Sequence, residues 1–460
     1  MDKNLMEKYD NLKLSPKFLG WGSIAALGEF LDAYCIVAWS VALVYLDPYY
    51  KIPTLLAGLV PAIFGYSWAT TAFGGGHISD LIGRKKLYMW DLLIMMVGAF
   101  FMVISSFLSY NIAVLILGYG LVGIGVGLDI PASEALIAEI SPRRHRGKMM
   151  SLANIWWYIG PITALMIALV TPSNLTGFRI LFIFPIGFAI LTMALRVLLI
   201  ESPRYLALKG EVKKLNSELD RVLGIPQNTV SAQGPSEHTY KWKDLFMPGM
   251  VGFTVFIMFM NILWAIPAST FGIYLPYIAS DIGKVGFVGA VEMDLLWFLT
   301  SIAGILIYWL YADKPGKDIN RKSMFIVSSI LVAAGFVMFG VIPLKDGAIG
   351  VLGIAIVGFF QGFGMWPIIW VWGTERFPTS IRAAGRGFLS GTDRYVNYSW
   401  TFALPAILIF LGLKYVAFSL AVMAIIMAIS AVFFAPKGGE SQSLEEIEHS
   451  ILVKGRWGNE

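Results

Sequence analysis

The stretch Gly75–Lys86 reads GGHISDLIGRKK, and Leu310–Lys317 reads LYADKPGK. The first carries D-x-x-G-R-K at Asp80, Gly83, Arg84 and Lys85; the second carries D-K-x-G-K at Asp313, Gly316 and Lys317. A second pair lies further on in each half. EISPRRHRG begins at Glu139 and ERFPTSIRA at Glu375, and both read E-x-x-P-x-x-x-R, at Glu139, Pro142, Arg146 and at Glu375, Pro378, Arg382. The offsets are 313 − 80 = 233 and 375 − 139 = 236 residues. Two unrelated motifs recurring at nearly one spacing make the chain an internal duplication. Many carriers are built this way, with the solute site between the two copies near the bilayer midplane.

Around these motifs the chain is apolar. Of its 460 residues, 57% are hydrophobic and 14% charged, with a mean hydropathy of +0.70. A soluble domain carries about 25% charged residues, so lipid must be the solvent for much of this surface. Runs of about 20 apolar residues cross a bilayer as helices. Twelve such runs are legible, over 18–46, 55–79, 87–108, 112–139, 148–171, 178–200, 249–278, 286–311, 323–343, 347–374, 384–411 and 414–435. The organisation predicted is a six-helix half over 1–200, an inter-half loop with short helices over 201–247, a second half over 248–435 and a tail over 436–460. With one cysteine, Cys35, no intrachain disulfide can form.

Lys and Arg set the orientation. With the N-terminus inside, the inner segments hold 28 of the 35 basic residues and the outer loops five: Lys51, Arg179, Lys284, Lys345 and Lys414. Both termini are therefore expected in the cytoplasm, in a multi-pass protein of the plasma membrane. The net charge of +5 is explained by this asymmetry and does not call for nucleic acid. The four histidines form no ligand cluster, and no nucleophile–base set is visible, so neither a metal, a cofactor nor enzyme chemistry is expected.

Charges inside the runs need a reason, because a carboxylate at the centre of a membrane helix costs roughly 2.5–3.5 kcal/mol on insertion scales. Asp32 lies in GEFLDAYCIVAWSVAL (Gly28–Leu43), Asp129 in the fourth run and Asp91 near the inner end of the third. Apolar surroundings favour the protonated form of a carboxyl, which suits Asp32, Asp129 and Asp91 to carrying a proton; packing as neutral acids is the alternative, and Asp91 could simply be wet. Arg394 lies about ten residues, roughly 15 Å, into the eleventh run. It needs an anion, either a substrate or a carboxylate such as Asp32 or Asp129. Its neighbour Asp393 points about 100° away on a helix, which makes pairing within the helix awkward. Tyr34, Asn154, Trp157, Asn261 and Trp264 are candidate cavity-lining residues beside Arg394 and Asp393.

Over essentially its whole length the chain resembles the major facilitator superfamily. The D-x-x-G-R-K loop looks like that superfamily's signature. The E-x-x-P-x-x-x-R pair and ESPRYLALKG (Glu201–Gly210) are similar to its sugar-porter branch. Within that branch the first half looks most like the phosphate:proton symporters. FLDAY (Phe30–Tyr34), GRKKLYMWDLLIM (Gly83–Met95) and GIGVGLDIPASEALIAE (Gly123–Glu139) carry this likeness, with Arg394 where that family has a lysine. Departures stand beside it: Ile130 replaces a tyrosine, Trp157 a glutamine, and no span-seven aspartate is present. Sugar porters typically carry an arginine where Tyr119 stands.

The resemblance implies an all-α membrane protein of twelve transmembrane helices in two six-helix pseudo-symmetric halves, working as a monomer by alternating access. It implies a cytoplasmic gate of salt bridges from Gly76, Asp80, Gly83, Arg84, Glu139, Arg146, Glu201, Arg204, Asp313, Lys317, Glu375 and Arg382. The function expected is proton-coupled symport of phosphate, an organic anion or a sugar acid. A sugar porter and a non-transporting nutrient receptor are the alternatives.

Overall fold

The computed structural model describes residues 8–50, 54–108, 111–172, 174–223, 242–279, 286–312, 320–341, 348–436 and 444. Asp313 and Lys317, the middle of the inter-half loop and almost all of the tail lie outside these residues. Everything regular among the described residues is helical. The first half comprises α1 (Pro16–Tyr50), α2 (Thr54–Ile82), α3 (Arg84–Ser105), α4 (Ile112–Ile140), α5 (Arg146–Val170) and α6 (Leu175–Arg196). Two short helices follow, α7 (Pro203–Lys209) and α8 (Val212–Leu223). The second half comprises α9 (Val251–Tyr277), α10 (Phe287–Tyr311), α11 (Arg321–Val341), α12 (Ala348–Phe360) with α13 (Trp366–Glu375), α14 (Arg382–Leu411) and α15 (Leu413–Phe434).

Local chemistry sets the ends. Asn111 caps α4, its side-chain oxygen accepting from the amides of Ala113 (3.0 Å) and Val114 (3.3 Å), and Asn174 caps α6 in the same way. Ser202 caps α7 with Pro203 in its first turn, and Gly210, at φ 69°, ends it. These side-chain oxygens satisfy amides that have no partner inside the helix.

Ten of the helical spans are long and apolar enough to cross a membrane on length and composition. The other two long helices are α2 and α14. They pack against each other, one from each half. α14 carries Arg382, Arg386, Asp393 and Arg394, and that polarity is tolerable because its polar side faces protein, not lipid. α5 packs against α10 in the same way. Spans two and eleven, and five and eight, thus form the seam between the halves. Adding six to each number of the first pair (counted around twelve) gives the second, as a twofold-related pair of halves requires. The tenth span, expected as a single run, is interrupted between α12 and α13 by a π-helical segment, Gln361–Met365.

Candidate functional site

Three groups of side chains collect where the halves meet and inside the first half. The first is acidic. Asp32, on α1, is fully buried, and neither carboxylate oxygen has a hydrogen-bond partner. The charged groups acting on it are Asp129, Glu29, Asp91 and Arg196. Asp91 is not wet; it is fully buried. Arg196, at the end of α6, reaches it at 2.8 and 3.1 Å, pairs also with Asp129, and lies 4.2 Å over the Tyr88 ring. Room for this arrangement comes from Gly28: a Cβ there would fall on the Asp129 carboxylate and the Arg196 guanidinium. The cation of the acidic group is therefore Arg196 and not Arg394.

Arg394 instead lies 4.0 Å over the Trp68 ring of α2, across the seam. Its Nε is 3.7 Å from Asp393, so the neighbour pairing that helix geometry disfavours is present as a long contact. Tyr34, expected at a cavity wall, donates its hydroxyl to the Leu181 carbonyl of α6 at 2.8 Å and stacks on Phe184. It belongs to the packing of the first half.

The second group is aromatic and bridges the halves. Trp366 donates its indole N–H to Asn154 Oδ1 of α5. Around Trp366 stand Trp264 at 3.9 Å, Trp370 at 4.6 Å and Trp157 at 5.0 Å between ring centroids. The N–H groups of Trp157, Trp264 and Trp370 have no hydrogen-bond partner, nor has Asn261 Oδ1, whose amide donates to the Ile257 carbonyl at 2.7 Å. These ring faces, unpaired donors and one unpaired acceptor lie together between the halves.

The third group lies at one end. Glu139, at the end of α4, accepts from Arg84 at 2.9 Å and from Arg382 of the other half at 2.8 Å. Glu375, at the end of α13, pairs with Arg321 at 2.7 Å and with Arg146 of the other half at 3.5 Å. The two are the same device: 321 − 84 = 237, 375 − 139 = 236 and 382 − 146 = 236. Motif matching set Lys317 opposite Arg84; Lys317 lies outside the described residues, and among those described Arg321 holds the place on Glu375 that Arg84 holds on Glu139. Asp80 pairs with Arg84 at 2.9 Å and accepts from the Ala384 amide across the seam at 2.8 Å. Gly76 lets α2 touch α14, since a Cβ there would strike the Ala383 carbonyl.

Gly83 turns the chain at φ 102°, in the region where only glycine is at ease. Beside it Glu201 accepts from the Lys85 amide at 3.2 Å, and burial raises the Glu201 carboxyl above the usual range. Arg204 donates to the Glu139 carbonyl at 2.7 Å and pairs with Asp10. At this end the described residues of the two halves are tied together by buried ion pairs.

The comparisons agree with the arrangement. The profile described as "Sugar (and other) transporter" matches residues 17–450. The chain belongs to that family. As a sugar-transporter family member it is a multi-pass membrane transporter. It is 28% identical over 432 residues to the minor myo-inositol transporter IolF of Bacillus subtilis (93% of this chain, 92% of the relative). It is 25% identical over 448 residues to the arabinose-proton symporter of the same organism (92% and 93%). The proton:xylose symporter XylE bound to 6-bromo-6-deoxy-D-glucose superposes with a TM-score of 0.80 at 19% identity, covering 94% of this chain and 98% of that one. The inward open conformation of XylE from E. coli gives 0.68 at 20% identity (93% and 98%). These likenesses place the fold in the major facilitator class.

Sequence reasoning leaves Arg196, like Arg394, as a basic residue inside a span but gives it no role, and passes over Arg321, Trp366, Trp370 and the pair Glu134–Arg386. Glu134 and Arg386 lie inside apolar runs, where the rule that singled out Asp32 applies to them equally. Trp366 and Trp370 carried no signal of their own in a chain with 15 tryptophans.

Proposed function

We propose that this transporter carries a small polyhydroxylated solute, a sugar or polyol, together with protons across the plasma membrane by alternating access, as a monomer with both termini in the cytoplasm. The observation that carries the substrate class is the aromatic group at the seam. Trp157, Trp264, Trp366 and Trp370 offer ring faces, and three of their N–H groups and Asn261 Oδ1 are unpaired. Carrying phosphate would call for a cluster of cationic donors facing the opening. Arg84, Arg146 and Arg196, the fully buried arginines of the first half's spans and gate, are instead committed to carboxylates. The expected preference for phosphate gives way to the sugar-porter alternative, and the names of the similar proteins, an inositol carrier and an arabinose-proton symporter, agree with that.

Asp32 is the proposed proton carrier, since it is buried with no partner to hold it ionised. Asp91 and Asp129 fix Arg196 beside it. The end tied by ion pairs, with its basic flanks, is the cytoplasmic gate in its closed state. A second reading follows from Arg394, whose Nε has no hydrogen-bond partner. A carboxylate on the solute would find it, which makes a sugar acid the second candidate.

Proteoliposome uptake of myo-inositol, D-xylose, D-glucuronate and inorganic phosphate, with and without an imposed inward proton gradient, tests this. Gradient-driven accumulation of a polyol or sugar is expected. Accumulation of phosphate alone refutes the substrate class, and indifference to the gradient refutes proton coupling.

A further inference from the structure

Glu134 and Arg386 form an ion pair between the halves, both fully buried, to which the reading above gives no role. Glu134 precedes Glu139 by five residues on α4, and Arg386 follows Arg382 by four on α14. The pair therefore lies about 6–8 Å further into the membrane than the gate, at 1.5 Å per residue. It sits between the gate and the acidic group. Beyond their mutual contact, the polar atoms of the two side chains have no hydrogen-bond partner.

The pair touches both other groups. Arg386 lies 4.2 Å over the ring of Trp370, which stacks on Trp366, which donates to Asn154. On the other side Ser133, next to Glu134, donates to Glu29 Oε1 at 3.2 Å. Glu29 precedes Asp32 by one helical turn on α1. The charged groups acting on Glu134 are Arg386 and Arg394 of α14, Asp129 on its own helix and Glu29 of α1. A buried pair without supporting hydrogen bonds is held only by mutual attraction, and neutralising one member leaves the other as an uncompensated charge.

We propose that Glu134 is a second proton-binding residue and that Arg386 is the positioning residue its protonation releases. This rests on the proton-coupled reading above. The proton enters from the outer side by way of Asp32 and Glu29 and forms a carboxyl O–H on Glu134. The ion pair then breaks, and Arg386 draws away with Trp370. This loosens the solute site and the seam between α4 and α14 together. Once the inner end opens, the proton leaves to the cytoplasm, and the returning Arg386 re-forms the pair with the carboxylate. Gate opening and solute site are thereby joined through one contact.

The test uses the full chain in liposomes with Cys35→Ser and a single reporter, Ala383→Cys, buried in the closed seam. Maleimide labelling is followed from pH 5 to pH 8, each rate divided by that of the same cysteine in the unfolded protein at the same pH because the thiolate is the reactive form, and uptake of D-xylose and myo-inositol is measured in parallel. The parent protein is expected to label faster as pH falls. Glu134→Gln is expected to label at the fast rate at every pH, and its ratio of gradient-driven accumulation to exchange should fall about tenfold, within the usual span of coupling free energies. If the parent depends on pH and Glu134→Gln keeps that dependence, the latch is overturned while the proton-coupled reading stands. If the parent shows neither pH-dependent labelling nor gradient-driven uptake, both fall. Should Glu134→Gln not fold, Arg386→Lys keeps the charge but loses the fork and the stacking. It is expected to shift the labelling midpoint, and an unmoved midpoint overturns the proposal.

Discussion

A buried charge in this protein is either tied down or left open, and the two cases have opposite signatures at single residues. Arg196 is tied down by Asp91, Asp129 and the Tyr88 ring. Removing it as Arg196→Gln leaves two acids without a cation, and breaking a buried pair costs about 3–5 kcal/mol. A large fall in melting temperature of the purified protein is expected. Asp32 is left open. Asp32→Asn should leave the melting temperature unchanged or raised while abolishing accumulation driven by a proton gradient and sparing counterflow. If Asp32→Asn still concentrates solute, the proton assignment to Asp32 is wrong. Gly28 belongs to the tied case, because any side chain there meets Asp129 and Arg196. Gly28→Val is expected to cost about 1–3 kcal/mol, as overpacking does, read again as melting temperature.

At the scale of elements, the interruption between α12 and α13 decides where the tryptophans of the tenth span face. A π segment adds one residue to a helical turn, and such segments are frequent at functional sites. Gln361–Met365 directly precedes Trp366. Inserting one alanine between Met365 and Trp366 should rotate α13 by about 100° relative to α12. Trp366 would then lose Asn154. Solute binding should be lost in a thermal-shift assay while the protein stays folded; retained binding would show that the indole is not a solute contact. The element boundaries themselves were legible in sequence, the first run predicted over 18–46 and found as Pro16–Tyr50, the eleventh over 384–411 and found as Arg382–Leu411. Hydropathy reports burial in lipid or protein, so it finds ends well. It does not see a one-residue bulge, which changes no composition.

For the whole molecule, the repeated glutamate–arginine device predicts a conformational balance. Glu139 and Glu375 each bind one arginine of their own half and one of the other. Breaking one cross-half contact with Glu139→Gln should favour the inward-open state, raising labelling of a cysteine placed at Ala383 and lowering affinity for solute added outside. Breaking both, with Glu375→Gln added, should do so more than either alone. Labelling that stays at the parent's level in the double variant would show that these pairs do not hold the gate.

The chain's repeats and apolar runs marked out the long helices and the repeated glutamates Glu139 and Glu375 without any coordinates, because lipid demands long apolar helices and duplication copies motifs at constant offset. Which cation meets which carboxylate was decided only in three dimensions. Arg196 took Asp91 and Asp129, Arg394 settled on Trp68, and Arg321 joined Arg146 on Glu375. Sequence marks that a charge lies inside the membrane. Its partner is set by helix rotation and crossing, and those follow from packing between elements far apart in the chain.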